Sequence, residues 1–219
     1  MRVIIAPAKK MNSDLDSFPP EALPQFLDRT ERLMSALQVM SPKELQSLWK
    51  CNDAIARLNV ERLRYMDLRR RLTPAVLAYE DIQYRYMAPG VFETGQLAYI
   101  REHLRILSGF YGLLRPFDGV TPYRLEMQAR LSVDGHKDLY GFWGAMLAGQ
   151  LAAETELVLD LASEDLLDIQ KHYFSRGDMF WLAINGGDRV IGCIGCNKYT
   201  QYTIYRCVLL DFTGPFEGP

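Results

Sequence analysis

The chain predicts an α/β fold of the α+β kind: a single domain over residues 1–219, with a mixed β-sheet flanked by helices. Three observations carry this. Apolar runs of strand length, Arg2–Ala6, Leu104–Ser108 and Glu156–Leu161, stop at Pro7, Gly109 and a polar turn. Between them, apolar residues recur at helical spacing. Strands alternating with helical segments are what a sheet layered by helices requires.

The elements follow in order. Arg2–Ala6 is the first buried strand, and Pro7 ends it because proline cannot donate to a ladder. Residues 12–24, rich in Ser, Asp and Pro, read as a loop. From Pro24 to about Met40, Phe26, Leu33, Leu37 and Met40 fall at helical spacing. Ser41-Pro42-Lys43-Glu44 then combines a cap, a proline at the first helical position and a Glu three residues on, so Pro42–Lys50 is a short helix. Cys51-Asn52-Asp53 is a turn, with Asp53 capping a second helix from Ala54 to about Met66, which makes 41–66 an αα-hairpin. Ala75–Tyr79 reads as a strand followed by a polar-aromatic turn to Tyr86. Phe92–Leu104 reads as a helix capped by Thr94, with Leu97, Ile100 and Leu104 on one face. Leu104–Ser108 is a buried strand and Leu139–Leu151 a helix facing Phe142, Trp143, Met146 and Leu147 inward. After the Glu156–Leu161 strand, Ala162-Ser163-Glu164 opens another helix, and Gly186–Pro219 is β-rich.

Composition excludes several classes. With 48% hydrophobic and 24% charged residues the chain is ordinary for a globular protein, and no stretch approaches the ~20 apolar residues of a membrane helix. Its start lacks the pattern of a secretion signal, so a cytoplasmic location is expected. Four cysteines do not make a disulfide scaffold in this length. Cys193-Ile-Gly-Cys196 has CxxC spacing but no second ligand pair, and the three histidines lie in no ligand spacing, so no metal and no cofactor is expected. Net charge is −2, yet Ser41–Arg71 holds eight basic against four acidic residues. Such polarisation suits phosphate contact, and equally a solvated helical face.

The chain has no GxGxxG after a strand, no Gly-Lys-Ser/Thr phosphate loop and no GxSxG elbow. What it offers instead is polar residues at strand ends and on rigid turns. Lys9 follows the first strand and Ser163 follows the last of the three, where open α/β sheets bind ligands. In the stretch Pro122–Met127, Arg124 and Glu126 alternate with Tyr123, Leu125 and Met127. Arg124 can hold phosphate bidentately, with Lys9 and Lys137 as point charges. The competing reading makes Arg124–Glu126 and Lys137–Asp138 structural ion pairs.

At these residues the chain resembles the YaaA family of bacterial peroxide-stress proteins. The resemblance runs through Ala6-Pro7-Ala8-Lys9-Lys10-Met11-Asn12, Leu107–Pro116, Pro122–Met127, Lys137–Trp143 and Leu161–Glu164, in that order, over about residues 1–170. It implies a cytosolic one-domain protein with a helix-hairpin-helix element at about 41–66. It also implies DNA binding through a positively charged cleft, and a role in limiting damage from hydrogen peroxide and free iron. Two departures stand out. Helix-hairpin-helix turns carry glycines whose N–H groups meet phosphates, whereas this turn is Cys51-Asn52-Asp53. Residues 171–219 diverge from the family pattern.

The expected function is therefore a DNA-binding peroxide-stress protein that contacts the phosphate backbone without reading sequence. Lys50, Arg57, Arg62 and Arg64 would touch phosphate from the hairpin, and Lys9, Arg124 and Lys137 from a cleft also lined by Tyr123, Glu126 and Ser163. DNA is the expected partner, with no membrane and no obligate protein partner. The alternative is an enzyme acting on a phosphorylated or nucleotide-like substrate in the Lys9/Arg124/Lys137 cleft, with Glu126 as general base. A third reading, a scaffold or iron-handling protein, is disfavoured by the scarcity of ligand spacings.

Overall fold

The computed structural model describes residues 1–162 and the strand segments Phe180–Asn185 and Arg189–Cys193. Strand β1 (Arg2–Ile5) forms where Val3, Ile4 and Ile5 can all be buried. Helix α1 (Leu27–Gln38) buries Leu27, Thr30, Leu33 and Leu37 as one stripe. Helix α2 (Pro42–Trp49) has the reciprocal cap that its sequence predicts: Glu44 N–H donates to Ser41 Oγ and Ser41 N–H to Glu44 Oε2. It closes on Lys50 in the left-handed conformation, at φ 46°. Helix α3 (Asp53–Arg64) follows and packs against α2. Its cap is Asn52 rather than Asp53, because Asn52 Oδ1 accepts the Ile55 N–H at 3.0 Å. Asp53 becomes the first helical residue, where the helix dipole favours a negative charge.

The expected strand at Ala75–Tyr79 is not one. Strand β2 is only Thr73–Pro74, and Ala75–Ala78 forms one helical turn, α4. A short, wholly apolar run does not distinguish strand from buried helix, and alanine at both ends favours the helix. The N–H groups of Ala75 and Val76 are met by the carbonyls of Asp118 and Pro116, both at 2.9 Å. The expected turn after it contains a helix, α5 (Ile82–Met87), capped by Asp81, and a 3₁₀ turn at Pro89–Val91. Helix α6 (Thr94–His103) is capped by Glu93, not Thr94, since Gln96 lies three residues on and accepts the Glu93 N–H at 2.9 Å.

Strands β3 (Leu104–Ser108), β4 (Gly112–Leu114) and β5 (Gly119–Val120) come next. The helix expected over Leu139–Leu151 is two, α7 (Leu139–Trp143) and α8 (Met146–Glu154). Gly144 separates them at φ 51°, a conformation that glycine adopts without strain. Strand β6 (Leu157–Asp160) precedes β7 (Phe180–Asn185) and β8 (Arg189–Cys193). Cys196 and Ser163 lie outside the described residues.

The sheet is mixed, in the order β4-β3-β1-β6-β7-β8. β1 is central and parallel to both β3 and β6, while β4 and β8 close the edges antiparallel. Trp143, Tyr111, Phe110 and Phe142 are the largest fully buried side chains of the core. At the amino ends of β1 and β3, Glu154 accepts from Arg2 Nε at 2.9 Å and from Arg105 Nε at 2.8 Å. The carboxyl ends of the same strands point the opposite way, toward a cleft.

Candidate functional site

The cleft is built by a strip, residues 123–133, that belongs to neither sheet. From Tyr123 to Val133 every second residue is buried: Tyr123, Leu125, Met127, Ala129, Leu131 and Val133. Between them Arg124 and Glu126 are half-buried and Gln128 and Arg130 exposed, and the backbone turns at Met127–Gln128, where the Ala129 N–H donates to the Glu126 carbonyl at 3.0 Å. The strip lies directly on Gly109 at the end of β3; a Cβ there would stand 2.7 Å from the Met127 nitrogen. Trp143 holds Gly109 in turn, donating its indole N–H to the Gly109 carbonyl at 3.0 Å.

Beneath the strip sits a buried hydroxyl chain. Tyr123 OH meets Ser108 Oγ at 2.6 Å and Tyr79 OH at 2.9 Å, and Ser108 Oγ accepts the N–H groups of Phe110 and Tyr111. Burial pushes the Tyr123 phenol up to about 12, against the opposing effect of the Ser108 and Tyr79 hydrogen bonds. The ring is therefore neutral and serves as an anchor for the strip. Tyr123→Phe removes one hydroxyl from the chain and leaves Tyr79 OH without that partner. Unfolding in urea is expected to show a loss of about 1–3 kcal/mol; an unchanged midpoint would show that the chain carries no stability.

Two adjoining cavities make the cleft. The first, about 110 Å³, is formed by Ala6–Lys9 after β1, by Leu107 and Gly109 at the end of β3, and by Tyr123–Gln128. This position beyond the carboxyl ends of parallel strands is where such sheets bind ligands. The second, about 650 Å³, lies between the strip and α2, with Met40, Leu48, Trp49 and Lys50 opposite Arg124, Glu126, Gln128, Ala129 and Arg130. Arg124, Glu126 and Gln128 line both. Glu126 is the hub of the polar residues there: Lys9 Nζ is 2.9 Å from its carboxylate, Gln128 Nε2 donates to it at 3.3 Å, and Arg124 Nη2 stands at 4.0 Å. The first cavity is below the ~300–1,000 Å³ typical of small-molecule pockets.

The remaining expected residues distribute unevenly. Lys50 lines the cleft, and Arg57 and Arg64 are exposed on α3. Arg62 instead turns inward: half-buried, it donates to the Met11 carbonyl at 3.2 Å and docks α3 onto the segment after β1. Burial lowers its guanidinium below the ordinary arginine value. Lys137 is exposed on the turn before α7 and lines neither cavity. Among the described residues no group of three or more His, Cys, Asp or Glu could hold a metal ion, and no helix is long and apolar enough to cross a membrane.

A profile of the family described as peroxide stress protein YaaA matches residues 1–176, which includes every described residue of the cleft. The chain belongs to this family. A UPF0246 protein of Pediococcus pentosaceus is 48% identical over 186 residues, 85% of this chain and 74% of that protein. Another, from Lachnoclostridium phytofermentans, is 46% identical over 194 residues, 87% of this chain and 76% of the relative. A third, from Lactiplantibacillus plantarum, is 53% identical over 165 residues, 75% of this chain and 66% of the relative. Membership places the chain among the peroxide-stress proteins.

Two kinds of cleft residue in this YaaA-family chain escape the sequence reading. Gln128 and Arg130 are exposed between buried Met127, Ala129 and Leu131, a pattern that the sequence carries beyond Met127. Trp49 ends α2, and nothing in its local sequence tells that it walls the cleft.

Proposed function

We propose that the cleft binds the phosphate backbone of DNA without reading its sequence, as part of the defence against hydrogen peroxide and iron damage. One observation carries this reading: Arg124, Glu126 and Gln128 are shared between the strand-end cavity and the groove against α2, so Lys9, Arg124, Lys50 and Arg130 border one continuous cleft. The exposed Arg57 and Arg64 on α3 extend the cationic surface from the same helical pair. Lys and Arg placed along an open groove bind polyanions chiefly by releasing condensed counterions, which makes affinity fall steeply with salt. Asp53, the acidic residue of the turn, is engaged by Gln46 Nε2 at 2.7 Å.

The test is duplex and single-stranded DNA binding measured over a range of salt. Replacing Arg57 and Arg64 together by Ala is expected to flatten the logarithmic salt slope by about 2, roughly one for each lost phosphate contact. Arg124→Ala is expected to weaken binding in the cleft with the fold retained. Absence of DNA binding by the wild type at low salt would overturn the reading.

A further inference from the structure

We propose that the larger cavity, between α2 and the strip, is a site for a phosphate monoester: the terminal phosphate of a nucleic-acid strand or that of a free mononucleotide. The proposal rests on the DNA reading above and narrows it to one chemical group. Two donors carry it. Trp49 is 4% exposed, and its indole N–H has no hydrogen-bond partner among the described residues. The Arg124 Nε–H is likewise buried and without a partner, and its nearest carboxylate, on Glu126, is only at the 4.0 Å limit of an ion pair. Both side chains line this one cavity.

Buried N–H groups are nearly always met, because leaving one unmet is costly, the more so on a charged side chain. Two side chains that line a single cavity each carry such a donor, which points to an acceptor from outside the chain. The surrounding charge says that the acceptor is an anion. Arg124, Lys50 and Arg130 stand against Glu44 and Glu126, and Lys9 already neutralises Glu126 at 2.9 Å. Met40 and Leu48 add an apolar wall suited to a nucleoside. Depth selects the monoester. The donors lie below the surface, and an internal phosphodiester would have to bring a sugar in on each side. A monoester offers three acceptor oxygens and up to two negative charges on one stalk.

The experiment compares a short single-stranded oligonucleotide bearing a 5′-phosphate, a 3′-phosphate or neither. Beside it, adenosine 5′-monophosphate is compared with adenosine by calorimetry. At least one phosphorylated end is expected to bind tenfold or more tighter than the bare oligonucleotide, about what one charge-assisted hydrogen bond supplies. The monophosphate is expected to bind where adenosine does not, and the tighter of oligonucleotide and mononucleotide identifies the source. Trp49→Phe keeps a ring but loses the N–H, and should abolish the phosphate advantage. Because Trp49 is a core residue, Lys50→Asn is the second variant: it removes a rim charge at an exposed left-handed position that Asn tolerates. It should reduce the advantage with thermal melting unchanged. Equal binding of all three oligonucleotides, with no binding of the monophosphate, overturns the monoester site and leaves the backbone reading standing. Discrimination between monophosphate and adenosine, with no oligonucleotide bound, supports the site and overturns the DNA reading instead.

Discussion

Glu154→Ala is expected to destabilise the fold by about 3 kcal/mol, the lower end for breaking a buried ion pair. Its carboxylate is the shared acceptor of Arg2 and Arg105, and Gln150 Nε2 donates to it at 3.0 Å. The Arg105 side chain is 7% exposed, so removal of the acid leaves a buried guanidinium facing Arg2, a like charge. In a domain of this size the melting temperature should fall by roughly 6–12 °C. The pH dependence provides a second readout. Burial raises the Glu154 carboxyl, but the hydrogen bonds from Gln150, Arg2 and Arg105 outweigh it and hold the group below its ordinary value of 4.5. A depressed folded value means that the stabilisation is fully present above the unfolded value and is lost as pH falls through the folded one. Stability measured from neutral pH to below 4 should therefore decline more steeply in the wild type than in Glu154→Gln. Identical acid profiles would show that the cluster is solvated and idle.

Gly109→Ala should cost about 2–3 kcal/mol and weaken the proposed DNA binding at the same time. The new Cβ would meet Met127 N at 2.7 Å, Glu126 C at 2.8 Å and Leu125 O at 3.0 Å. These are backbone atoms, not the tips of flexible side chains, so the strip itself must move. It carries Arg124 and Glu126, which ties the packing fault to the cleft. Gly95→Ala is the matched control, since a Cβ there meets nothing within 4 Å, and helix α6 should gain slightly. Thermal melting and the salt dependence of DNA binding, run on both variants, separate the two consequences. A Gly109→Ala protein that melts normally and binds normally would show the strip to be compliant rather than fixed.

What could be read in advance depended on whether the deciding forces were local. The strands at Arg2–Ile5, Leu104–Ser108 and Leu157–Asp160, and the Ser41/Glu44 cap, follow from apolar runs and cap chemistry held within a few residues. The helical turn at Ala75–Ala78 does not, because its first N–H groups are met by carbonyls some forty residues later in the chain. Gly144 was visible but silent: a glycine inside an apolar helical pattern is often tolerated, and here it breaks the helix instead. In the cleft, the alternation at Tyr123–Met127 separates Arg124 and Glu126 from the buried Tyr123, Leu125 and Met127. Lys137, expected beside Lys9 and Arg124 as a point charge, lies on a separate exposed turn. Arg62 looked like one more hairpin cation, and its inward turn is decided by the Met11 carbonyl, a partner fifty-one positions away.

The strip from Tyr123 to Val133 draws on neither sheet to fix its register; the burial of Tyr123, Leu125, Met127, Ala129, Leu131 and Val133 does that work. One residue inserted between Tyr123 and Arg124 would exchange the two sets up to the turn at Met127–Gln128, setting Arg124 and Glu126 against the core and Leu125 and Met127 away from it. Substitutions there are graded in their effect, whereas changes of length are all-or-none.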